Sequence, residues 1–260
     1  MLDLHTHSTA SDGQLTPTEL VRRAKCVGLT GIGLTDHDTL AGLAEAQRVA
    51  TTLGLKMMPG VEISAEWRDK DVHILGYFVE DRGPLVEIMH RAREARVERT
   101  KAMIGKLNAL GIDISFADVT NAADDGIGSL GRPHIARVLV SLGVVQDVPQ
   151  AFARYLERGK PAFVPRFKLS PNEAVQAITA SKGVAVWAHP GNLGGILIQE
   201  LIIAGLKGIE VFHPIHSPKE EKRLTELAIC HQLTVTGGSD AHDATTVGIR
   251  SVRSEERRVG

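Results

Sequence analysis

The chain has 260 residues, of which 43% are hydrophobic and 23% charged, and its formal net charge is −1. This composition suits one large buried core, and the near-neutral charge argues against nucleic-acid binding as the main role, so we expect no stable DNA complex. No run approaches the roughly 18 apolar residues of a membrane span, and no secretory leader precedes the first strand, so we expect a cytoplasmic protein. Cys26 and Cys230 are predicted to be small buried thiols rather than a disulfide.

In chain order, the first predicted element is a strand over residues 2–6, and it ends in two imidazoles, His5 and His7. Alternate side chains of a strand point to the same face, so both could bind one metal ion. Two ordinary polar residues at a strand end would show the same pattern. The metal hypothesis therefore depends on how many later strands end in ligand side chains.

A helix start follows at Thr16, where Pro17 suits the first helical position and Glu19 can complete a capping box. The same pattern recurs from Ser170 and from Ser217. Strand, loop, capped helix and glycine alternate, which is typical of βα units with parallel strands. The pattern predicts strands near 2–6, 31–36, 56–63, 72–79, 184–188, 208–212 and 233–238, and helices near 16–27, 39–53, 171–182, 195–204 and 218–231.

About a hundred residues separate the fourth and fifth predicted strands, far more than a βα connection needs. Helical patterns over 84–110, 133–142 and 149–157 predict a helical insertion, residues 82–168, that caps the mouth of a barrel formed by 1–81 and 169–250. The insertion holds 14 Lys or Arg and 9 Asp or Glu, a net of +5, which would attract an anionic ligand. Residues 251–260 carry charge without a hydrophobic period, which predicts a frayed tail or a chain cut short.

The later strand ends also carry ligand side chains, and, with His5 and His7 included, six of the eleven histidines occupy strand ends. A barrel collects the ends of its parallel strands at one rim. Imidazoles together with carboxylates suit borderline divalent cations, so the pattern indicates a polynuclear metal centre. Besides His5 and His7, the candidate ligands are Asp12, His37, Glu62, His73, His189, Asp240 and His242.

These motifs resemble the PHP (polymerase and histidinol phosphatase) family of the amidohydrolase superfamily. They are His5-Thr6-His7-Ser8, Thr35-Asp36-His37-Asp38, Gly60-Val61-Glu62, His73, Ala188-His189-Pro190 and Ser239-Asp240-Ala241-His242. The resemblance implies a distorted (β/α)7 TIM-like barrel with two or three divalent ions, manganese first and zinc or iron as alternatives. It implies one ion on His5, His7, Glu62 and Asp240, a second that shares Glu62 with His73 and His189, and a third on Asp12, His37 and His242.

Two stretches of the insertion restrict the resemblance to one subgroup of the family. Gly131-Arg132-Pro133-His134 and the stretch around Arg166 are similar to the subgroup with 3′,5′-nucleoside bisphosphate phosphatase and the 5′-to-3′ exoribonuclease RNase AM. We interpret Arg132, His134 and Arg166 as phosphate-binding residues, since arginine forks match phosphate oxygens. A helix start with solvated charges is the alternative. His216, after the sixth strand, is a further candidate for contacting phosphate.

The resulting hypothesis is metal-dependent hydrolysis of a nucleotide phosphate monoester, foremost a nucleoside 3′,5′-bisphosphate, with trimming of short RNA 5′ ends as an extension. Asp240 would orient the nucleophile, and His242 or His134 would protonate the leaving group. The alternatives are a histidinol-phosphate phosphatase or another small phosphomonoesterase, an amide or lactone hydrolase, and a non-catalytic metal-binding module. The expected partner is a small phosphorylated substrate, and the oligomeric state stays open.

Overall fold

A computed structural model describes residues 1–123, 130–165 and 169–250. The chain divides into two compact units, one of residues 1–89 and 168–260 and one of residues 90–167. The predicted tail, 251–260, lies outside the described residues.

The first unit is an α/β barrel built on one sheet of seven strands in chain order. The strands are β1 Leu2–Thr6, β2 Gly31–Leu34, β3 Lys56–Trp67, β4 Lys70–Tyr77, β5 Val184–Ala188, β6 Gly208–Phe212 and β7 Thr234–Gly237. The helices are α1 Pro17–Cys26, α2 Leu43–Leu53, α7 Pro171–Ala180, α8 Gly194–Ala204 and α9 Pro218–Cys230, while α3 Pro84–Ala109 begins in this unit and continues into the other. The capping boxes predicted at Thr16, Ser170 and Ser217 are all present.

The prediction that all strands run parallel is wrong for β4, which pairs antiparallel with both β3 and β5. Only Arg68 and Asp69 separate β3 from β4, and both have positive φ, 48° and 62°. A two-residue turn can join only antiparallel strands, since a parallel crossover needs a dozen or more residues. Residues 64–71, which lie outside the predicted strands, extend the two strands into a hairpin.

This reversal decides where His73 lies. His73 is near the start of β4, yet it pairs with Ala188, the last residue of β5. An antiparallel strand brings its beginning to the rim where its parallel neighbours end, so His73 reaches the same rim as the other candidate ligands.

The barrel closes between β1 and β7 at this rim. Thr6 and Ala241 form an isolated parallel bridge, and the His7 N–H donates to the carbonyl oxygen of Ala241 at 2.9 Å. Gly238 faces β1 so closely that a β-carbon there would lie 2.5 Å from the His5 nitrogen, so only glycine fits without displacing β1. We call this closure the β1–β7 seam.

The second unit has a hydrophobic core of its own, to which Leu107, Ile135, Leu139 and Leu156 contribute. Its helices are the larger part of α3, then α4 Phe116–Asn121, α5 Arg132–Ser141 and α6 Val148–Ala151, followed by a π-helical turn, Phe152–Leu156. The sequence predicted α3, α5 and the last helical segment but missed α4. Cys26 and Cys230, in the first unit, are both exposed free thiols, so the prediction that they are buried is wrong.

Candidate metal centre

Glu62 on β3 is the carboxylate around which the candidate ligands gather, and its side chain is 1% exposed. Its two oxygens face different imidazoles. Oε2 lies 3.4 Å from His5 Nε2, 3.2 Å from His7 Nε2 and 3.1 Å from His37 Nδ1. Oε1 lies 2.9 Å from His73 Nδ1 and 3.2 Å from His189 Nε2. Glu62 therefore has the geometry of a bridging carboxylate between two groups of donors.

Asp240 and Asp12 supply the other carboxylates. Asp240 Oδ1 lies 3.0 Å from His7 Nε2 and 3.4 Å from His5 Nε2. Asp12 Oδ1 lies 3.3 Å from His242 Nε2, and its Oδ2 lies 3.9 Å from His37 Nε2. Each carboxylate thus sits among imidazoles that come from other strand ends.

Four sets of side chains within the described residues place their donor atoms within 4.8 Å of one another. They are His5, His7, Glu62 and Asp240; His7, Asp12, His37 and His242; His37, Glu62 and His73; and His5, Glu210 and His213. The first two sets contain seven of the nine predicted ligands. The third set adds His73, and the contact with Glu62 adds His189.

Burial and neighbouring charges determine the protonation of the centre. Burial raises the pKa of Glu62, but the surrounding imidazoles, His37 first, outweigh it and hold that pKa well below its ordinary value. Burial lowers the pKa of His7, but its contacts with Asp240 and Glu62 outweigh burial and raise it to about 10. The carboxylates are therefore balanced by protons on the imidazoles, positions that cations can take instead.

The donor set fits divalent cations. Among the described side chains, the buried His5 Nε2, both ring nitrogens of His7 and Glu62 Oε2 make no hydrogen bond. Buried polar atoms without a hydrogen bond are costly, and these atoms converge on one place. Imidazole nitrogens and carboxylate oxygens are the ligands that zinc, manganese and iron accept.

A pH test follows for protein stripped of metal. Because the pKa of His7 rises from an ordinary 6.5 to about 10 on folding, the folded state binds this proton more tightly. That stabilisation is complete below pH 6.5 and is lost as the pH rises towards 10. We expect the free energy of unfolding, measured in urea, to fall over this range, and to fall less steeply in His7→Asn. Equal slopes in the two proteins would contradict the charged state of His7.

Two buried residues outside the predicted set support the ligands. Glu210, in the middle of β6, has a fully buried side chain and accepts hydrogen bonds from His5 Nδ1 at 3.1 Å and from the His189 N–H at 2.9 Å. His213, just after β6, places Nε2 3.6 Å from Asp240 Oδ2. A charged residue inside the apolar run of residues 208–212 was the available signal for Glu210, while the sequence pattern assigned no role to His213.

Two aspartates hold the loops that carry the ligands. Asp3 on β1 accepts from the Ser239 N–H at 2.9 Å and from the Ser239 hydroxyl at 2.6 Å. Burial raises the pKa of Asp3 to about 6 in spite of these bonds. Asp36 accepts from the Ser8 and Ser11 hydroxyls, each at 2.7 Å. The loops after β1 and β7 are therefore tied to buried carboxylates.

The comparison with known proteins decides the family. The PHP domain matches residues 3–150, more than half of the chain. The chain belongs to the PHP family. It is 39% identical to the 3′,5′-nucleoside bisphosphate phosphatase of Chromobacterium violaceum over 93% of this chain and 87% of the relative. It is 37% identical to a 5′-3′ exoribonuclease of Haemophilus influenzae over 92% of this chain and 89% of the relative.

The fold comparison agrees with this assignment. A solved structure from Bifidobacterium adolescentis superposes with a TM-score of 0.93 at 33% identity, over 99% of this chain and 94% of the other. The chain is thus a PHP phosphoesterase, a hydrolase of phosphate ester bonds, whose side chains can hold metal ions. None of the described helices is both long enough and apolar enough to cross a membrane.

The residues of this PHP enzyme that were predicted to bind substrate differ from one another in their surroundings. His216 is buried, donates from Nδ1 to the Val211 carbonyl at 2.8 Å and accepts the Gly191 N–H at Nε2 at 3.3 Å. Because backbone groups engage both ring nitrogens, this arrangement argues against the predicted role of His216 in binding phosphate. It braces the loops after β5 and β6 instead.

Within the second unit, Arg132 is the first residue of α5, and its guanidinium carbon lies 5.4 Å from the centroid of the Phe152 ring. His134 is 1% exposed and accepts the Gly131 N–H at Nδ1, at 3.1 Å. Arg166 lies outside the described residues.

Proposed function

We propose that this PHP enzyme removes the 3′-phosphate of nucleoside 3′,5′-bisphosphates to give nucleoside 5′-monophosphates, and that it also shortens RNA from a 5′ end. The observation that carries the proposal is Glu62, whose two oxygens face two separate groups of imidazoles. A carboxylate so placed suits a polynuclear centre for phosphoester hydrolysis. The relatives named above act on a bisphosphate and on RNA, which favours nucleotide substrates over histidinol phosphate.

Three cation positions follow from the donor groups. His5, His7, Glu62 and Asp240 would hold one ion; Glu62, His73 and His189 a second; Asp12, His37 and His242 a third. We propose manganese, with zinc or iron as alternatives, because nitrogen and oxygen donors suit all three. When bound, such cations supply Lewis acidity to the phosphoryl group and to the attacking water.

Exposure indicates from where the substrate approaches. Asp240 and His242 keep side-chain exposures of 27% and 33%, whereas those of His5 and His7 are 0%. The phosphate would therefore meet the centre beside Asp240 and His242. Of these two exposed side chains, Asp240 would orient the attacking water.

Hydrogen bonds distinguish the two histidines predicted to protonate the leaving group. His242 donates from Nδ1 to the Asp240 carbonyl at 2.8 Å, so Nε2, which lies 3.3 Å from Asp12 Oδ1, is the nitrogen that can bind a cation in place of a proton. His134 accepts at Nδ1, so its proton is on Nε2. We propose His242 as a ligand and His134 as the group that donates a hydrogen bond or proton to the substrate.

A phosphate-release screen tests the proposal. Manganese-loaded enzyme would be offered nucleoside 3′,5′-bisphosphates, short 5′-phosphorylated RNAs, histidinol phosphate and an aryl phosphate. We expect the highest kcat/KM for a bisphosphate, with the phosphate lost from the 3′ position. A preference for histidinol phosphate, or no release from any nucleotide, would refute the proposed substrate class.

We further propose that the helical insertion selects substrates with a second phosphate through Arg132. Charge-assisted hydrogen bonds contribute roughly 1.5–3 kcal/mol each, about ten- to a hundredfold in binding. Arg132→Ala should therefore lower kcat/KM by that factor for a bisphosphate and much less for an aryl phosphate. Arg154→Ala is the matched control, because Arg154 also lies over an aromatic ring, that of Tyr155, at 5.1 Å. Equal losses on both substrates would show that Arg132 holds the reacting phosphate or the fold.

A further inference from the structure

Strand β6 carries none of the predicted ligands, yet its central residue, Glu210, is a fully buried carboxylate in an apolar strand. A buried carboxylate is costly unless it is hydrogen bonded, so its partners show what it does. Glu210 accepts from His5 Nδ1 and from the backbone N–H of His189, whose φ of 29° is left-handed. Both partners are candidate metal ligands.

The contact with Glu210 sets which nitrogen of His5 can bind a cation. A carboxylate can only accept, so the proton of His5 is on Nδ1. The opposite nitrogen, Nε2, lies 3.4 Å from Glu62 Oε2 and 3.4 Å from Asp240 Oδ1. Glu210 therefore leaves Nε2 as the nitrogen of His5 that can bind a cation, at the place where Glu62 and Asp240 meet.

His5, Glu210 and His213 lie close enough to be a cation site of their own. That site would need His5 to coordinate through Nδ1 while Nε2 serves the Glu62 group, which requires a fully deprotonated ring. The hydrogen bond to Glu210 needs no such ring. The geometry thus favours an orienting contact over a further metal site.

His213 makes the corresponding contact with Asp240. Its Nδ1 accepts the Ile215 N–H at 3.2 Å, so its proton is on Nε2. His213 is 3% exposed, and its Nε2 makes no hydrogen bond within the described part of the chain. This N–H faces Asp240 Oδ2 at 3.6 Å, while Asp240 Oδ1 lies 3.0 Å from His7 Nε2. The two oxygens of Asp240 thus have separate partners.

We propose that Glu210 and His213 are positioning residues of the metal centre. Glu210 sets the tautomer of His5 and holds the backbone of His189, and His213 keeps one oxygen of Asp240 turned away so that the other faces the cation. The inference rests on the proposed function, in which His5, His189 and Asp240 bind metal. Outer contacts of this kind typically change metal affinity by about 10–100-fold.

Cobalt binding to chelator-stripped protein tests Glu210, with calorimetry for affinity and visible absorption for ligand geometry. Glu210→Gln keeps the size of the side chain but leaves one acceptor oxygen where the carboxylate has two, so it cannot use both oxygens to accept from His5 and from the His189 N–H. We expect Co²⁺ to bind about 10–100-fold more weakly, with an altered spectrum. Glu226→Gln, an exposed glutamate on α9, is the control and should bind as the wild type does. Wild-type affinity in a folded Glu210→Gln protein would overturn the role of Glu210.

A pair of variants tests His213 independently and keeps the proposal testable if Glu210→Gln does not fold. The amide of glutamine reaches the position of Nε2, whereas that of asparagine reaches only the position of Nδ1. We expect His213→Gln to bind Co²⁺ as the wild type does and His213→Asn to bind at least about tenfold more weakly. Equal affinities in the two variants would overturn the role of His213.

His7→Ala separates this inference from the proposed function. If His7→Ala binds Co²⁺ as tightly as the wild type, the metal centre itself is wrongly assigned, and the inference fails with it. If His7→Ala binds weakly while Glu210→Gln and His213→Asn bind normally, the metal centre stands and only the inference fails.

Discussion

Glu62→Gln is expected to lower kcat/KM by more than about a hundredfold, because loss of an outer contact alone costs about 10–100-fold and Glu62 contacts five imidazoles. An amide has one oxygen acceptor, so glutamine cannot serve two donor groups at once. Metal content, measured by elemental analysis of the purified variant, should fall together with turnover.

Glu66→Gln is the control for this change, since Glu66 lies on the same strand, β3, beyond the cluster of imidazoles. It should keep both metal and activity. Near-normal turnover and metal content in Glu62→Gln would show that Glu62 does not bridge the cations.

Removal of the metal by a chelator is the second change with a large expected effect. We expect hydrolysis to stop and to return when manganese is added. The melting temperature should also fall, since a cation at a hundred times its dissociation constant stabilises the folded state by about 2.7 kcal/mol. Refilling should release protons, because the pKa of His7 in the stripped protein is raised to about 10.

Calorimetry in two buffers of different ionisation enthalpy measures that proton release. His90→Gln is a suitable control, since His90 is an exposed histidine paired with Glu94 rather than with the centre. It should release as many protons as the wild type. Hydrolysis that survives complete removal of metal would exclude the metal-dependent mechanism.

Much of the site could be predicted because its chemistry is concentrated at strand ends. His5 and His7 alternate on one strand, and Asp240 and His242 repeat that spacing, so a pattern of two residues was enough to find them. The structure brings His5, His7 and Asp240 together with Glu62, and it places His242 beside His7 and Asp12. The capped helices were predictable for a similar reason, since each capping box is formed by neighbours in sequence.

The sequence could not predict the direction of β4 or the contacts between residues that are far apart in the chain. The reversal of β4 depends on the two-residue turn at Arg68 and Asp69, neither of which is a glycine, so no turn signal was visible. Glu210 and His213 act on residues more than twenty positions away, and only the sheet brings them there. The same limit applies to His216, whose partners are backbone groups that no motif reveals.

The β1–β7 seam gives the metal centre a second consequence. Its hydrogen bonds lie beside His7 and Ala241, and candidate ligands stand on both sides of it, His5 and His7 on one and Asp240 and His242 on the other. A cation shared across the seam would therefore hold β1 and β7 together and keep the barrel closed. Without it, β1 and β7 would fray into two open strand edges, which are templates for aggregation. We expect amide hydrogen exchange at the seam to be faster in the stripped protein, and we expect that protein to aggregate on storage.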